Sequence, residues 1–179
     1  MSEFGMRPAI EYMKEYFKNV PIKGAELGVF KGINAERFLN MLNIEKLHLI
    51  DTWITPSCEK RYSYETFAKD VFGKFKENEK IIIYRENTSE AVKKIQDDSL
   101  DFIYIDADHS YSGCKEDMEL WYPKLKTGGV FVGHDYFCIE GVKKAVDEFI
   151  YSNKLKLVAF DAIGIYDKVK YGEWLIIKP

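Results

Sequence analysis

The sequence predicts an α/β fold, in which a mostly parallel sheet carries helices on both faces and includes an antiparallel strand near its end. Strand-like apolar runs alternate with helical patterns over most of the chain, as in parallel sheets with helical crossovers. Near the C-terminus, two strand-like runs follow each other without a helix. A chain of 179 residues that is 46% hydrophobic can bury one core, so we expect a single domain over 1–179.

The first observation covers five strand-like runs, at 23–27, 46–50, 80–84, 101–105 and 129–133. Helical patterns lie between and after them, at 35–42, 64–76, 90–95, 114–125 and 141–151. Ahead of the first strand, Met6, Ile10, Met13 and Phe17 recur at helical spacing and predict an N-terminal helix that ends before Pro21. The polar stretch 54–63 is predicted to be a mobile loop.

The second observation concerns LKLVAF (155–160) and EWLIIK (173–178), which we expect to pair antiparallel at the end of the sheet. In the helical pattern at 114–125, Leu120, Trp121 and Leu125 are expected to face the sheet.

The charge distribution favours small molecules as partners. The formal net charge is -3, and Lys and Arg are scattered among Asp and Glu, so no basic surface for nucleic acid or anionic lipid is predicted. No apolar run approaches the roughly 20 residues that span a bilayer, and the N-terminus lacks a signal peptide's hydrophobic stretch. We therefore expect a cytoplasmic protein whose cysteines, Cys58, Cys114 and Cys138, are reduced.

The stretch GAELGVFKG places Gly28 and Gly32 after a strand and before a helix, with Glu26 beside them. This spacing differs from the GxGxxG turn that holds a dinucleotide pyrophosphate, although Asp51 closes the next strand, where an acid can accept hydrogen bonds from a ribose. The pattern predicts a nucleotide-like ligand, and we expect Val at position 28 to exclude it while leaving the fold largely intact. The alternatives are an ordinary tight turn and, for Asp51, a helix cap.

Four segments together resemble one family: GAELGVFKG, LIDTW, IDADHSY and LKTGGVFVGHDY. Over nearly its whole length the chain resembles the class I S-adenosylmethionine-dependent methyltransferases. The last two segments are similar to the metal-dependent small-molecule O-methyltransferases related to macrocin and cephalosporin tailoring enzymes, and more distantly to catechol O-methyltransferase. The resemblance implies a Rossmann-like, seven-stranded sheet of order 3-2-1-4-5-7-6 with an antiparallel seventh strand. It also implies methyl transfer to a hydroxyl of a small molecule.

The resemblance also implies positions for S-adenosylmethionine. Glu26 would lie near its methionine end, Asp51 on its ribose, and Trp53 and the Thr88–Ser89 pair beside its adenine. Core packing is the alternative for Trp53, and a helix cap is the alternative for Thr88 or Ser89. The cofactor-binding residues expected from the sequence are Glu26, Gly28, Gly32, Asp51, Trp53, Thr88 and Ser89.

A divalent metal is predicted where Asp106 and Asp135 follow two neighbouring strands. Carboxylates that converge on one crevice repel each other, and a bound cation relieves that repulsion. The resemblance implies a third ligand at His134, where the family usually has an oxygen ligand. An imidazole there leaves Mg or Mn as the expected metal but extends the choice to Fe or Zn. The alternative for His134 is a strand-end histidine that binds a loop carbonyl.

The catalytic residues expected from the sequence are Asp106 and His109. A histidine three residues after Asp106 can lie beside an acceptor hydroxyl and take its proton, since its intrinsic pKa is about 6.5. The alternative for His109 is a turn residue or helix cap, and Tyr111 either lines the acceptor pocket or packs. Three other functions remain open: a non-catalytic S-adenosylmethionine-binding protein, a metal-independent methyltransferase and a dinucleotide-dependent dehydrogenase.

Overall fold

The computed structural model describes residues 7–54, 63–163 and 170–179. They form a seven-stranded sheet of order β3-β2-β1-β4-β5-β7-β6. Strand β7 pairs antiparallel with both β5 and β6, and the other pairings are parallel, so the predicted fold class and strand order are confirmed. The strands are β1 (Ile22–Leu27), β2 (Ile44–Ile50), β3 (Ile81–Tyr84), β4 (Leu100–Ile105), β5 (Leu125–Gly133), β6 (Leu157–Ile163) and β7 (Lys170–Ile177).

Six α-helices accompany the sheet in the described ranges, and none of them has the length and hydrophobicity needed to cross a membrane. They are α1 (Pro8–Phe17), α2 (Ile33–Met41), α3 (Tyr64–Phe75), α4 (Thr88–Ala91), α5 (Tyr111–Trp121) and α6 (Glu140–Asn153). Short 3-10 turns, Val92–Lys94 and Tyr122–Lys124, follow α4 and α5. The predicted loop at 54–63 lies mostly outside the described residues, as do Met6 and Cys58.

Alternating side chains of the central strands supply two cores, one on each face of the sheet. On β4, Phe102 and Tyr104 pack with α1, α2 and α3, whereas Ile103 and Ile105 pack with α5 and α6. This period of two is the pattern expected of a strand buried on both faces. On α5 the buried face is formed by Cys114, Met118 and Trp121 rather than by Leu120, which is 36% exposed and does not face the sheet as expected.

Helix α1 is attached to the other end of the chain through Glu173 on β7. The backbone N–H of Ala9 donates to Glu173 Oε2 at 2.8 Å, and the hydroxyl of Tyr104 donates to Oε1 at 2.7 Å. A carboxylate at the first turn of a helix satisfies a free backbone donor there and interacts favourably with the helix dipole. This contact holds Arg7, the residue before α1, beside the sheet.

The order of the strands reverses between β1 and β4, because the chain proceeds from β1 to β2 and β3 on one side and from β4 to β5 on the other. Open α/β sheets bind ligands outside the carboxyl ends of the strands at such a reversal. The segments that follow β1, β2, β4 and β5 therefore meet at one edge of the sheet.

Candidate functional site

A cavity of about 1230 Å³ opens at this edge. Its walls come from the segments that follow β1, β2, β3, β4 and β5, and from α5. Seven residues expected from the sequence line it: Gly28, Asp51, Thr88, Ser89, Asp106, His109 and Asp135. The other four, Glu26, Gly32, Trp53 and His134, lie behind its described wall.

Gly28 begins the turn after β1 with a φ of +84°, a backbone conformation that residues other than glycine rarely adopt. A Cβ built there would lie 2.0 Å from the carbonyl oxygen of Asp106. The expectation that valine at this position spares the fold is therefore wrong, because the first atom it would meet is backbone at the end of β4. The glycine permits both the turn and the close approach of two strand ends.

Asp51 organises the same turn from the end of β2. Its Oδ2 accepts hydrogen bonds from the backbone N–H groups of Val29 and Phe30, each at 2.9 Å. Its Oδ1 accepts from the N–H of Trp53 at 2.7 Å. An ionised carboxylate has about four acceptor positions, so this hydrogen bonding leaves capacity for a ligand in the cavity that Asp51 lines.

Trp53 is not brought to the cavity. Its side chain is 2% exposed, its indole N–H donates to the carbonyl of Phe30 at 2.8 Å, and its ring contacts Phe72 edge-on. The interpretation of Trp53 as a neighbour of adenine is not supported by this position, which matches the core-packing alternative. The backbone of Trp53 has a φ of +47°, and the tight turn after Asp51 directs the ring inward.

Gly32 has a conformational role at the start of α2. It is the residue before the helix, its φ is +73°, and a Cβ there would approach Phe75 and Val71 of α3. The structure therefore places Gly32 against α3 rather than in the cavity wall.

Glu26 lies on β1 below the cavity and is 1% exposed. Within the described residues neither of its carboxyl oxygens has a hydrogen-bond partner, since the side chain of Asn34 lies close but outside hydrogen-bonding geometry. Burial, followed by the charges of Asp106 and Asp51, raises the pKa of Glu26 well above its usual range. Such a carboxyl retains its capacity to bind a polar group of a ligand.

Asp106, His134 and Asp135 converge so that one ligand atom of each lies within 4.8 Å of the others. Nδ1 of His134 is 3.0 Å from Asp135 Oδ1 and 3.8 Å from Asp106 Oδ1. Asp135 has a φ of +62°, an uncommon conformation for a residue with a side chain, and such strain concentrates at functional sites. Two carboxylates and an imidazole form a donor set suited to a divalent cation.

His109 reaches the same cluster from the segment after β4. Its Nε2 lies 3.2 Å from Asp106 Oδ1 and 3.1 Å from Asp135 Oδ2. Hydrogen bonds to these two carboxylates raise the pKa of His109 to about 10, in place of the intrinsic value expected from the sequence. Burial raises the pKa of Asp135, but the hydrogen bonds from His109 and His134 outweigh it and hold that pKa well below its usual range.

Tyr111, expected either in the acceptor pocket or in packing, donates its hydroxyl to Glu148 Oε2 at 2.6 Å and is not part of the described cavity wall.

The cavity wall also contains polar residues that were not expected from the sequence, among them Arg7, Asn34 and Asp117. Asp117 is the most informative of them, because it is a carboxyl only 3% exposed that lies on α5 near the side chain of Thr88. The sequence carries a signal for it. Position 117 falls between Cys114 and Met118 on the buried face of the helix, where a charged residue is unusual.

Comparison with known proteins identifies the class of protein to which this fold and cavity belong. The family model described as a methyltransferase domain matches residues 25–136, from β1 to the segment after β5. The chain belongs to this methyltransferase family.

Individual relatives are distant. An uncharacterized protein of Acanthamoeba polyphaga mimivirus is 25% identical over 167 residues, which cover 88% of this chain and 73% of that protein. The O-methyltransferase TomG from Streptomyces achromogenes, in complex with SAM, has a TM-score of 0.73 at 11% identity, covering 98% of this chain and 82% of TomG. An O-methyltransferase from Bacillus cereus, in complex with SAH, has a TM-score of 0.71 at 12% identity, covering 97% of this chain and 83% of that chain. At such identities the likeness to these structures is one of fold.

Proposed function

We propose that this methyltransferase transfers a methyl group from S-adenosylmethionine to a hydroxyl of a small molecule, with the help of a divalent metal, and that residues 1–179 act as one domain. The observation that carries the proposal is the assembly of Asp106, His134 and Asp135 beside the turn at Gly28. The cavity, about 1230 Å³, is large enough for a nucleoside, and two of these three residues, Asp106 and Asp135, line it. TomG and the Bacillus cereus enzyme, which share the fold, are O-methyltransferases seen with SAM and SAH, and this favours the same donor here.

The methyl donor supplies an electrophilic methyl group on a sulfonium. Because Gly28 has no side chain, the backbone at this position can approach the methyl donor closely. Asp51 uses its remaining acceptor position to accept a hydrogen bond from the ribose. Glu26, with both oxygens free of partners among the described residues, is the acceptor for the amino group of the methionine part. Thr88 and Ser89 border the part of the cavity that receives the adenine.

Asp106, His134 and Asp135 would hold the metal, with Mg or Mn expected from the two carboxylates. When bound, a divalent cation lowers the pKa of a coordinated hydroxyl and orients it. Asp106 and Asp135 line the cavity, so these two carboxylates are the members of the cluster that an acceptor in the cavity would meet.

His109 is the candidate base for the proton of the acceptor hydroxyl. The two carboxylates keep its imidazole protonated when they bind it alone, so this role requires a cation in the cluster, whose charge would offset theirs and free a ring nitrogen. Its side chain is 39% exposed, lines the cavity and reaches both carboxylates, so it lies where an acceptor beside them would lose a proton. Positioning of two reactants in line contributes several kcal/mol, roughly, to such a transfer, and the rigid strand ends that carry these residues provide it.

Binding measurements on the purified protein test the proposal without knowledge of the acceptor. Calorimetry should show binding of S-adenosylhomocysteine and none of NAD at the same concentration. Electron paramagnetic resonance should show Mn²⁺ bound to wild type in a ratio of one per chain. Tighter binding of NAD would favour a dehydrogenase. Binding of S-adenosylhomocysteine without Mn²⁺ would favour a metal-independent methyltransferase or a non-catalytic binding protein.

A further inference from the structure

Asp117 is a buried acid without a positively charged partner in the part of the chain that the structure describes. Its side chain lies in the cavity wall, and the residue is 3% exposed. The charged groups that act on it are Glu116 and Asp108, both acidic, and the polar side chain of Thr88 lies nearby. Its surroundings therefore disfavour a carboxylate, and burial raises the pKa of Asp117 to about 7.

A buried carboxyl in such surroundings costs stability unless donors satisfy it. The two oxygens of a carboxylate offer about four acceptor positions, and Thr88 is the nearby polar side chain that acts on them. Helix α5 would bury an apolar residue at this position at no such cost, as it does at Met118. The group is open only towards the cavity, so a ligand in the cavity is the available source of further donors.

The location of Asp117 indicates which part of a ligand meets it. Asp51 lies at the end of β2, and Thr88 and Ser89 follow β3, the outermost strand on that side of the sheet. A nucleoside whose ribose lies at Asp51 extends its base towards these residues. Asp117 lies near Thr88, and both residues line the cavity, so the buried carboxyl lies at the base end.

We propose that Asp117 accepts a hydrogen bond from the exocyclic amino group of the donor's adenine and thereby determines the base specificity of the enzyme. This inference rests on the proposed function, because it assumes that the cavity holds an adenine nucleoside. Adenine carries a donor at this position, whereas hypoxanthine carries a carbonyl oxygen. Ionised Asp117 accepts from the amino group and repels the carbonyl oxygen, so the comparison is made at pH 8, above the raised pKa of about 7. A site built around a hydrogen-bond acceptor discriminates strongly against the wrong group.

The test compares S-adenosylhomocysteine with S-inosylhomocysteine by calorimetry. Their bases differ at position 6 and in the proton on N1 of hypoxanthine, and the Asp117 variant separates the contribution of position 6. Wild type should bind the adenosyl compound at least about tenfold more tightly. Asp117→Asn, which keeps the shape but offers an amide donor, should bring the two affinities within about threefold of each other or reverse them. Glu116→Gln is the matched control, since it removes the same charge from the next residue, which is exposed and lines the same cavity; it should keep the wild-type ratio.

The outcomes separate the two proposals. If wild type binds S-adenosylhomocysteine but does not discriminate against the inosyl compound, the role of Asp117 is refuted by wild type alone, whatever the variant does. An unchanged ratio in a folded Asp117→Asn variant refutes it as well. If wild type binds neither compound, the proposed function itself is refuted, and the inference fails with it.

Discussion

The backbones of Gly28 and Asp106 are in direct contact, so that a Cβ at Gly28 would lie 2.0 Å from the carbonyl oxygen of Asp106. The N–H of Asp106 also donates to the carbonyl of Leu27, the residue before the glycine, at 2.8 Å. The turn assigned to the methyl donor and the first residue of the cation cluster are thus joined by direct backbone contacts. Displacement of one displaces the other.

We predict that Gly28→Ala lowers the free energy of unfolding by about 2 kcal/mol or more, through a backbone clash and a φ of +84° that alanine tolerates poorly. Gly73→Ala is the matched control. Gly73 lies in α3, and beyond its own helix no atom of the described residues comes within 4 Å of a built Cβ, so alanine there should stabilise the protein by about 0.5–1 kcal/mol. Urea unfolding of both variants measures this, and equal effects at the two glycines would contradict the prediction.

For Asp51→Ala we predict weaker binding of S-adenosylhomocysteine, by about 1.5–3 kcal/mol, together with lower stability of the ligand-free protein, by about 1–3 kcal/mol. The second effect follows because three backbone N–H groups lose their acceptor. Calorimetry and ligand-free unfolding measure the two quantities separately. Thr52→Ala, at the neighbouring position in the cavity wall, should change both by less than about 0.5 kcal/mol. Unchanged affinity in Asp51→Ala would remove Asp51 from the ribose.

Asp106→Asn is predicted to weaken Mn²⁺ binding at least about 100-fold, because a neutral amide is a poor ligand for a hard cation. The affinity for S-adenosylhomocysteine should change by less than about threefold, since the metal and the methyl donor use separate side chains. Asp108→Asn is the control two residues away, where the side chain is exposed and accepts from the N–H of Ser110. Titration of each protein with Mn²⁺, monitored by electron paramagnetic resonance, measures the metal affinity of wild type and of both variants. Equal Mn²⁺ affinity in wild type and Asp106→Asn would exclude Asp106 as a ligand.

A fourth prediction concerns the dependence of stability on pH. The pKa of Asp117 is raised by folding from 3.8 to about 7, so its proton is bound more tightly in the folded state. Below about pH 4 the carboxyl is protonated in both states and does not lower the free energy of unfolding. As the pH rises towards 7, only the unfolded state ionises, so the free energy of unfolding falls. The stability of Asp117→Asn relative to wild type should therefore be higher at pH 8 than at pH 5, by about 2–3 kcal/mol. Urea unfolding at the two pH values measures the difference.

Glu116→Gln removes a nearby exposed acid and should show a much smaller dependence on pH. If the relative stability of Asp117→Asn stayed constant between pH 5 and pH 8, the carboxyl would be ionised at both values and the assigned shift would be wrong.

The fold was predictable because each layer leaves its own pattern in the sequence. Apolar runs such as 101–105 are buried on both faces, and the helices that cover them repeat apolar residues at helical spacing. The pairing of β1 with β4 has no local signal, since it joins strands that are far apart in the chain. That pairing came from the resemblance to a family, and the structure confirmed it.

The candidate site was predictable where it follows strand ends. Asp51, Asp106 and Asp135 each come directly after an apolar strand or one residue later, and parallel strands bring such positions to one edge. Trp53 was misplaced because a left-handed turn after Asp51 reverses the direction of its side chain, which no sequence pattern reveals. Asp117 was missed although the spacing of its apolar neighbours placed it on the buried face of the helix. Leu120 was expected on that face instead, and Leu120 is exposed.

The contact between Ala9 and Glu173 spans 164 residues and joins the first helix to the last strand. During translation α1 is synthesised long before β7, which carries Glu173. Arg7, the residue before α1, therefore reaches its position in the cavity wall only after β7 has been made. Closure of so long a loop is slow and costs chain entropy. Nascent chains that end before residue 170 should therefore lack the side of the cavity that α1 forms. Binding of the methyl donor to nascent chains should begin only once β7 has been synthesised.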